Sequence, residues 1–311
     1  MRTRDRPLLL ERALESVFAQ TLTDYVLVVV NDGGDAAAVE RLVQGRAEII
    51  HHPAPLGMQA ASNAGIRGSR SEYVVIHDDD DTWDPRFLEL TSRHLEETGA
   101  MGVIATTDKV VERIVDGRIE VVETARLHPE LRFVNLYAMC FENYATPISF
   151  LYRRQVYETI GLYDEELDSA GDWDFGLRFL LHWEIEFLPT PEALAFYRHR
   201  PEGADANSVY TDRHRRAENL VANRYLRRDL EAGRTGLGLI VNTLRYQHER
   251  ERVLLEESRR AGHERAEHLA GRLWELEEHL RELDRSLTPA ARTRSYLRFL
   301  GSLPSRIARR E

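Results

Sequence analysis

Four consecutive aspartates, Asp78-Asp79-Asp80-Asp81, follow directly on the apolar run Tyr73-Val74-Val75-Ile76 and His77. Adjacent carboxylates repel by about 1 kcal/mol per pair in water, and by more beside a low-dielectric core. A divalent cation removes that repulsion. Hard oxygen ligands at the end of a strand suit Mg²⁺ or Mn²⁺, which take one or two carboxylates together with the oxygens of a substrate diphosphate. Ligation falls to Asp78 or Asp80, whereas Asp84 and Asp81 read as caps for a helix expected to begin near Pro85. Two further acidic positions stand at places where chemistry is plausible. Asp32 ends the apolar run Tyr25–Val30 within Asn31-Asp32-Gly33-Gly34, where the glycines let a ligand approach closely. Asp172 opens an expected helix as its N-cap, a role worth about 1 kcal/mol that leaves it free to act chemically as well.

The elements that must position these residues alternate. Pro7 starts a helix in which Leu9, Leu10, Ala13, Leu14, Val17 and Phe18 repeat at helical spacing to about Gln20. Strands are expected at Tyr25–Val30, Ala47–His51 and from Tyr73, with helices over Val39–Val43, Gly57–Arg67 and Pro85–Glu97. Acidic residues thus fall at the carboxyl ends of two strands, where open α/β sheets bind ligands. After Gly99 come strands at Met101–Thr106, Lys109–Val115, Arg118–Glu123 and Ile148–Tyr152, the middle pair joined as a hairpin through Asp116-Gly117. A short helix over Arg154–Ile160 follows, then the helix opened by Asp172 and strands near Trp183–Leu188 and Ala193–Tyr197. Trp173 and Phe175 read as core, while Trp83 beside the aspartates can stack on a sugar face.

Composition limits the function classes. The 311 residues carry a formal net charge of −10, which argues against a nucleic-acid partner and would repel anionic substrates except where a counter-charge is local. No apolar run of membrane-spanning length is present, and the single cysteine, Cys140, excludes an internal disulfide framework and fits a reducing, cytoplasmic setting. The chain divides into a globular part over 1–235, a long helix over 236–288 and a basic amphipathic tail over 289–311. Within the long helix Ala266, Leu269, Leu273, Leu276, Leu280, Leu283 and Leu287 alternate three and four apart, a short coiled-coil seam able to form a homodimer. The tail, with Tyr296, Leu297 and Phe299 among Arg292, Arg294 and Arg298, can lie on the inner face of an anionic plasma membrane, or can be a solvated helix face.

Several segments, in order, together resemble the bacterial family-two glycosyltransferases with the GT-A fold. They are Thr3-Arg4-Asp5-Arg6-Pro7, Leu14 to Gln20, Val28-Val29-Val30-Asn31-Asp32-Gly33, Gly57 with Ala61-Ser62-Asn63 and Gly65, the aspartate cluster, Arg153-Arg154 with Gly161 and Tyr163-Asp164-Glu165, and Gly171-Asp172-Trp173-Asp174. The resemblance covers roughly Arg2 to Asn223 and implies a nucleotide-binding α/β mixed sheet flanked by helices, extended here by the C-terminal helical segment. It implies a donor site in which Thr3 and Asp32 meet the nucleobase, Gly57 and Asn63 border the nucleotide, and Asp78, Asp79 and Asp80 form an Asp-x-Asp motif. Asp80, with Asp78, would hold Mn²⁺ or Mg²⁺; His199 is a further metal or phosphate contact, and Asp172 is the general base. Two departures stand out. Gly171 replaces the glutamate expected before Asp172, and the apolar strand that normally precedes the Thr3 segment is missing, so either the true start lies upstream or something else fills the slot.

The expected activity is metal-dependent, inverting transfer of a sugar from a nucleotide-sugar donor to a saccharide or lipid-linked saccharide in cell-surface polysaccharide synthesis. Two alternatives remain open from sequence. One is a sugar-phosphate nucleotidyltransferase, which predicts an early glycine-rich basic loop that Met1–Pro7 lacks; the other is a non-catalytic coiled-coil scaffold in a polysaccharide-assembly complex.

Overall fold

The computed structural model describes residues 1–201, 212–233 and 236–248, with scattered positions between 250 and 278. Met1–Tyr246 form one compact unit and Gln247–Glu311 a second. The seam over 266–287 and the tail over 289–311, with the dimer and membrane contacts expected of them, lie outside the described residues apart from isolated positions. Among the described residues no helix is long and apolar enough to cross a membrane.

The architecture is mixed α/β, with sheets flanked by helices. In the first sheet β1 (Arg2–Thr3), β2 (Val28–Asp32) and β3 (Glu48–His52) run parallel. Helices α1 (Pro7–Phe18) and α2 (Ala36–Val43) cover it by burying Leu10, Leu14, Val39 and Val43 against Val29. Pro7 occupies the first turn of α1, as its missing N–H and fixed φ favour. Helix α3 (Met58–Gly68) lies over β2, with Ala61 against Val28 and Val30.

A second, mixed sheet has the order β10 (Glu186–Leu188), β6 (Gly102–Ala105), β9 (Phe150–Arg153) and β4 (Tyr73–Val74). Its core side holds α5 (Leu136–Phe141), α6 (Val156–Ile160), α7 (Gly171–Leu180) and residues Ala217, Val221 and Tyr225 of α8 (Asp212–Glu231). The third sheet orders β5 (Thr82–Trp83), β11 (Ala195–His199), β7 (Thr107–Val115) and β8 (Arg118–Arg126). The β7–β8 hairpin turns through Asp116 and Gly117, with φ of 50° and 73°, the left-handed pair that the Asp-Gly signal predicts. Helix α4 (Phe87–Thr98) closes on Gly99 at φ 69°.

Three details differ from the sequence expectation. Strand β4 keeps only two residues, because β9 pairs with one of its edges and β1 reaches the other only at the isolated Arg2–Asp78 bridge. Between β2 and the Tyr73–Ile76 segment lies a cavity of about 440 Å³, lined by Val17, Tyr25, Val28, Val74, Ile76 and Leu151. Helix α4 begins at Phe87 after Arg86 rather than at Pro85, and Asp84 accepts from the backbone N–H and side chain of Arg86 instead of capping the helix. Trp83 is no sugar platform: it is 6% exposed, stacks on Phe87 at 4.4 Å and donates Nε1–H to the Ile148 carbonyl.

Candidate active site

Parallel pairing of β1 with β2, together with the Arg2–Asp78 bridge, brings the chain's first residues to the aspartates that follow β4. Arg2 grips Asp78 with both Nε and Nη2, and its Nη1 donates to Ser62 Oγ of α3 at 3.0 Å. Thr3 Oγ1 donates to Asp79 Oδ2 at 2.6 Å. Arg6 pairs with Asp79 and reaches Asp80 Oδ2 at 2.9 Å. On the far side of Asp80, Arg200 donates Nη2–H to Oδ2 at 2.5 Å and Nη1–H to Glu112 Oε1 at 2.7 Å. Glu112 also accepts from Arg12 at 2.8 Å and Arg198 at 3.2 Å. Asp81 Oδ1 accepts the Arg198 backbone N–H at 2.7 Å, tying the cluster to β11.

The repulsion expected among the aspartates is therefore answered by guanidinium groups from both ends of the globular unit. Burial pushes Asp78 toward its neutral form, but the Arg2 guanidinium overrides it and holds the carboxyl below its usual range. Asp79, fully buried, is pushed up to about 7 by desolvation and the nearby Asp80 against the opposing Arg6. Asp81 is raised well above a normal carboxylate by burial and the charges of Asp80 and Asp78.

A divalent cation fits this donor set in kind, since Asp78 and Asp80 offer hard oxygens. The space is contested: Asp80 Oδ2 already faces two guanidinium groups, and among the described residues no group of three or more His, Cys, Asp or Glu is arranged to hold a metal ion. Arg200 is 1% exposed at its side chain and fixed by Glu112, whereas Arg6 is 29% exposed and precedes α1 in a loop. A cation on Asp80 thus requires Arg6 to turn away. His199 does not join the cluster. It ends β11, its Nδ1 is buried without a hydrogen-bond partner, and it is the next residue, Arg200, whose side chain meets Asp80.

At the end of β2, Asp32 accepts from His52 Nδ1 and the Leu56 N–H at Oδ1, both 2.8 Å, and from the Gly57 N–H at Oδ2, 2.9 Å. These donors overcome the burial that would raise its pKa and hold it below the usual range. Gly57, at φ 101°, lets the chain turn from Asp32 into α3. Asn63 is a clamp between elements. Its amide donates to the Tyr163 carbonyl and Glu165, and its oxygen accepts the Tyr163 N–H, each within 2.8–3.0 Å.

Asp172 lies in the first turn of α7, after Ala170 at φ 56°. The Asn143 amide donates to its Oδ2 at 2.7 Å. Burial raises its pKa, and the Arg2 charge is the largest opposing influence, so Arg2 acts electrostatically on both Asp78 and Asp172. Arg2, Arg6, Arg200 and Asn143 were not foreseen as site residues. The only hint of the arginines was the basic spacing of Arg2-Thr3-Arg4-Asp5-Arg6 and Arg198-His199-Arg200.

Carboxylates gathered beyond the ends of strands in a helix-flanked mixed sheet stand where open α/β sheets bind their ligands. The chain belongs to glycosyl transferase family 2, whose model matches residues 1–161. It is 25% identical over 187 residues to the uncharacterized glycosyltransferase YwdF of Bacillus subtilis (strain 168), covering 58% of this chain and 66% of that protein. It is 24% identical over 195 residues to the putative colanic acid biosynthesis glycosyl transferase WcaA of Escherichia coli (strain K12), covering 60% of this chain and 68% of that one. The fold is similar to the crystal structure of S. aureus TarS 1–349 in complex with UDP-GlcNAc, with TM-score 0.56, 19% identity, and coverage of 71% of this chain and 64% of that one. The chain spans only about half to two-thirds of the length of several such relatives, 66%, 48% and 58% for three of them.

Proposed function

We propose that the protein is a metal-dependent, inverting glycosyltransferase that moves a sugar from a nucleotide-sugar donor to a saccharide or lipid-linked saccharide in cell-surface polysaccharide synthesis. The observation that carries the reading is the pairing of two unlike acidic centres across Arg2: clamped carboxylates at Asp78 and Asp80, and a desolvated carboxylate at Asp172. Family membership, the colanic acid relative and the UDP-GlcNAc complex of TarS support it.

In this reading Asp78 and Asp80 would hold Mg²⁺ or Mn²⁺, which would supply Lewis-acid stabilisation of the charge on the leaving diphosphate. Arg6, 29% exposed beside the aspartates, is a cationic partner for the donor phosphates. Thr3 and Asp32 border the nucleobase, and Gly57 carries the chain past the nucleotide. Asp172 takes the proton from the acceptor hydroxyl as that oxygen attacks the anomeric carbon from the face opposite the nucleotide. Its raised pKa makes it a stronger base than a solvated carboxylate, and the Asn143 amide holds one of its oxygens in place. Turnover of UDP- and GDP-sugars with Mg²⁺ or Mn²⁺ tests the proposal. Full activity in excess chelator, or in Asp172→Asn, overturns the mechanism.

A further inference from the structure

Gly171, the residue before Asp172, has no side chain, and the space a side chain would take is filled from another element. Gln59, in the first turn of α3 and 3% exposed, lays its carboxamide against Gly171. A Cβ on Gly171 would stand 2.5 Å from Gln59 Nε2 and 2.7 Å from Oε1, so the glycine is what admits the glutamine. Gln59 Oε1 is buried and has no hydrogen-bond partner. Buried amide oxygens are almost always paired, so an orphan against the residue that precedes Asp172 calls for a partner that a ligand can supply.

The neighbours restrict that ligand. Ser62, one helical turn along α3 from Gln59, holds Arg2 Nη1, and Arg2 grips Asp78 while acting on Asp172. On the other side, Asn143 is held at both ends of its amide, donating to Asp172 Oδ2 and accepting the Ala145 N–H at 3.0 Å. Gln59 therefore lies where α3 meets the amino end of α7, against the residue that precedes the base and one helical turn from the serine that holds Arg2. A carboxamide there can accept from one hydroxyl and donate to another, the pattern presented by vicinal hydroxyls of a sugar ring. We propose that Gln59 binds the acceptor, its Oε1 accepting a hydrogen bond from an acceptor-sugar hydroxyl next to the one that Asp172 deprotonates. This inference rests on the assignment of Asp172 as the base, and it makes the polar group beside the base a contribution of α3 rather than of the residue preceding it.

Gln59→Leu and Gly171→Ala test it, with UDP-N-acetylglucosamine and GDP-mannose as donors and methyl glycosides of glucose, galactose and mannose as acceptors. An oxygen that bonds only a ligand predicts that Gln59→Leu leaves the melting temperature unchanged or raises it. It also predicts that the acceptor KM rises at least tenfold while the affinity for UDP moves less than twofold. Gly171→Ala, by displacing the carboxamide, raises the acceptor KM in the parent and adds nothing further in the Gln59→Leu background. A fall in melting temperature in Gln59→Leu with an unchanged acceptor KM makes the residue a packing element and overturns the inference. So does an additive effect of the two substitutions. Asp172→Asn separates the two claims: if it abolishes transfer while Gln59→Leu keeps the parent KM, this inference fails alone, and if it keeps full transfer, the base assignment fails. Absence of transfer to every methyl glycoside, with UDP still bound, overturns a monosaccharide-sized acceptor contact at Gln59.

Discussion

Of the carboxylates after β4 Asp80 is buried and Asp78 half-buried, the carboxylate that opens α7 is half-buried too, and the chain treats the two centres oppositely. Asp78 and Asp80 are gripped by Arg2, Arg6 and Arg200, and Arg200 is itself anchored on Glu112. Asp172 receives a neutral amide from Asn143, backbone N–H groups at the start of α7, and the fields of Arg2 and His214, with no guanidinium gripping it. Guanidinium contacts favour the charged form outright, as the lowered pKa of Asp78 records. Desolvation with one amide leaves Asp172 nearer the point of protonation. The first arrangement fixes negative charge and could pass it to a cation or exchange it for phosphate. The second leaves a carboxylate able to take up a proton, which is the division of labour that sugar transfer demands.

The largest test removes the proton acceptor and keeps its shape. Asp172→Asn should lower the transfer rate by about a thousandfold, within the range for loss of a general base, with affinity for the donor's nucleoside diphosphate unchanged in calorimetry. An equal loss of nucleotide affinity would merge the two centres into one and break the contrast. Next in size is the anchor. Glu112, with a 0% exposed side chain, faces Arg12, Arg198 and Arg200. Glu112→Gln leaves three buried or half-buried cations with one fewer counter-charge and should cost about 3 kcal/mol in urea unfolding. A loss below about 1 kcal/mol would show that the cluster does not depend on this anchor.

A smaller effect sharpens the difference between the two carboxylate environments. Because burial raises the pKa of Asp172 against the opposing Arg2, transfer should fall with decreasing pH at a higher pH than for a solvated carboxylate. Asn143 donates to the charged form, so Asn143→Ala should move that acid limb up by about one pH unit. A pH–rate profile that shifts downward, or not at all, would separate Asn143 from the base.

How much of this was legible depends on how local each signal was. Alternation, the Asp116-Gly117 turn and the glycine after α4 declare themselves within a few residues, and each lies where expected. The acidic ends of two strands were also readable, since a β-branched run that stops at Asp32 or at Asp78 needs no tertiary knowledge. The partners of those acids were not. Arg200 meets Asp80 across 120 positions of sequence and Asn143 meets Asp172 across 29, and no periodicity encodes such pairings. Helix α8 was missed because its sequence is dominated by Arg, leaving Ala217, Val221, Ala222 and Tyr225 as a thin apolar stripe. Strand β4 was read too long because its run of apolar residues is real, while the pairing that would extend it meets the cavity beside β2. His199 was singled out through the resemblance, and no local signal beyond the basic spacing pointed to its neighbour Arg200, whose side chain meets Asp80.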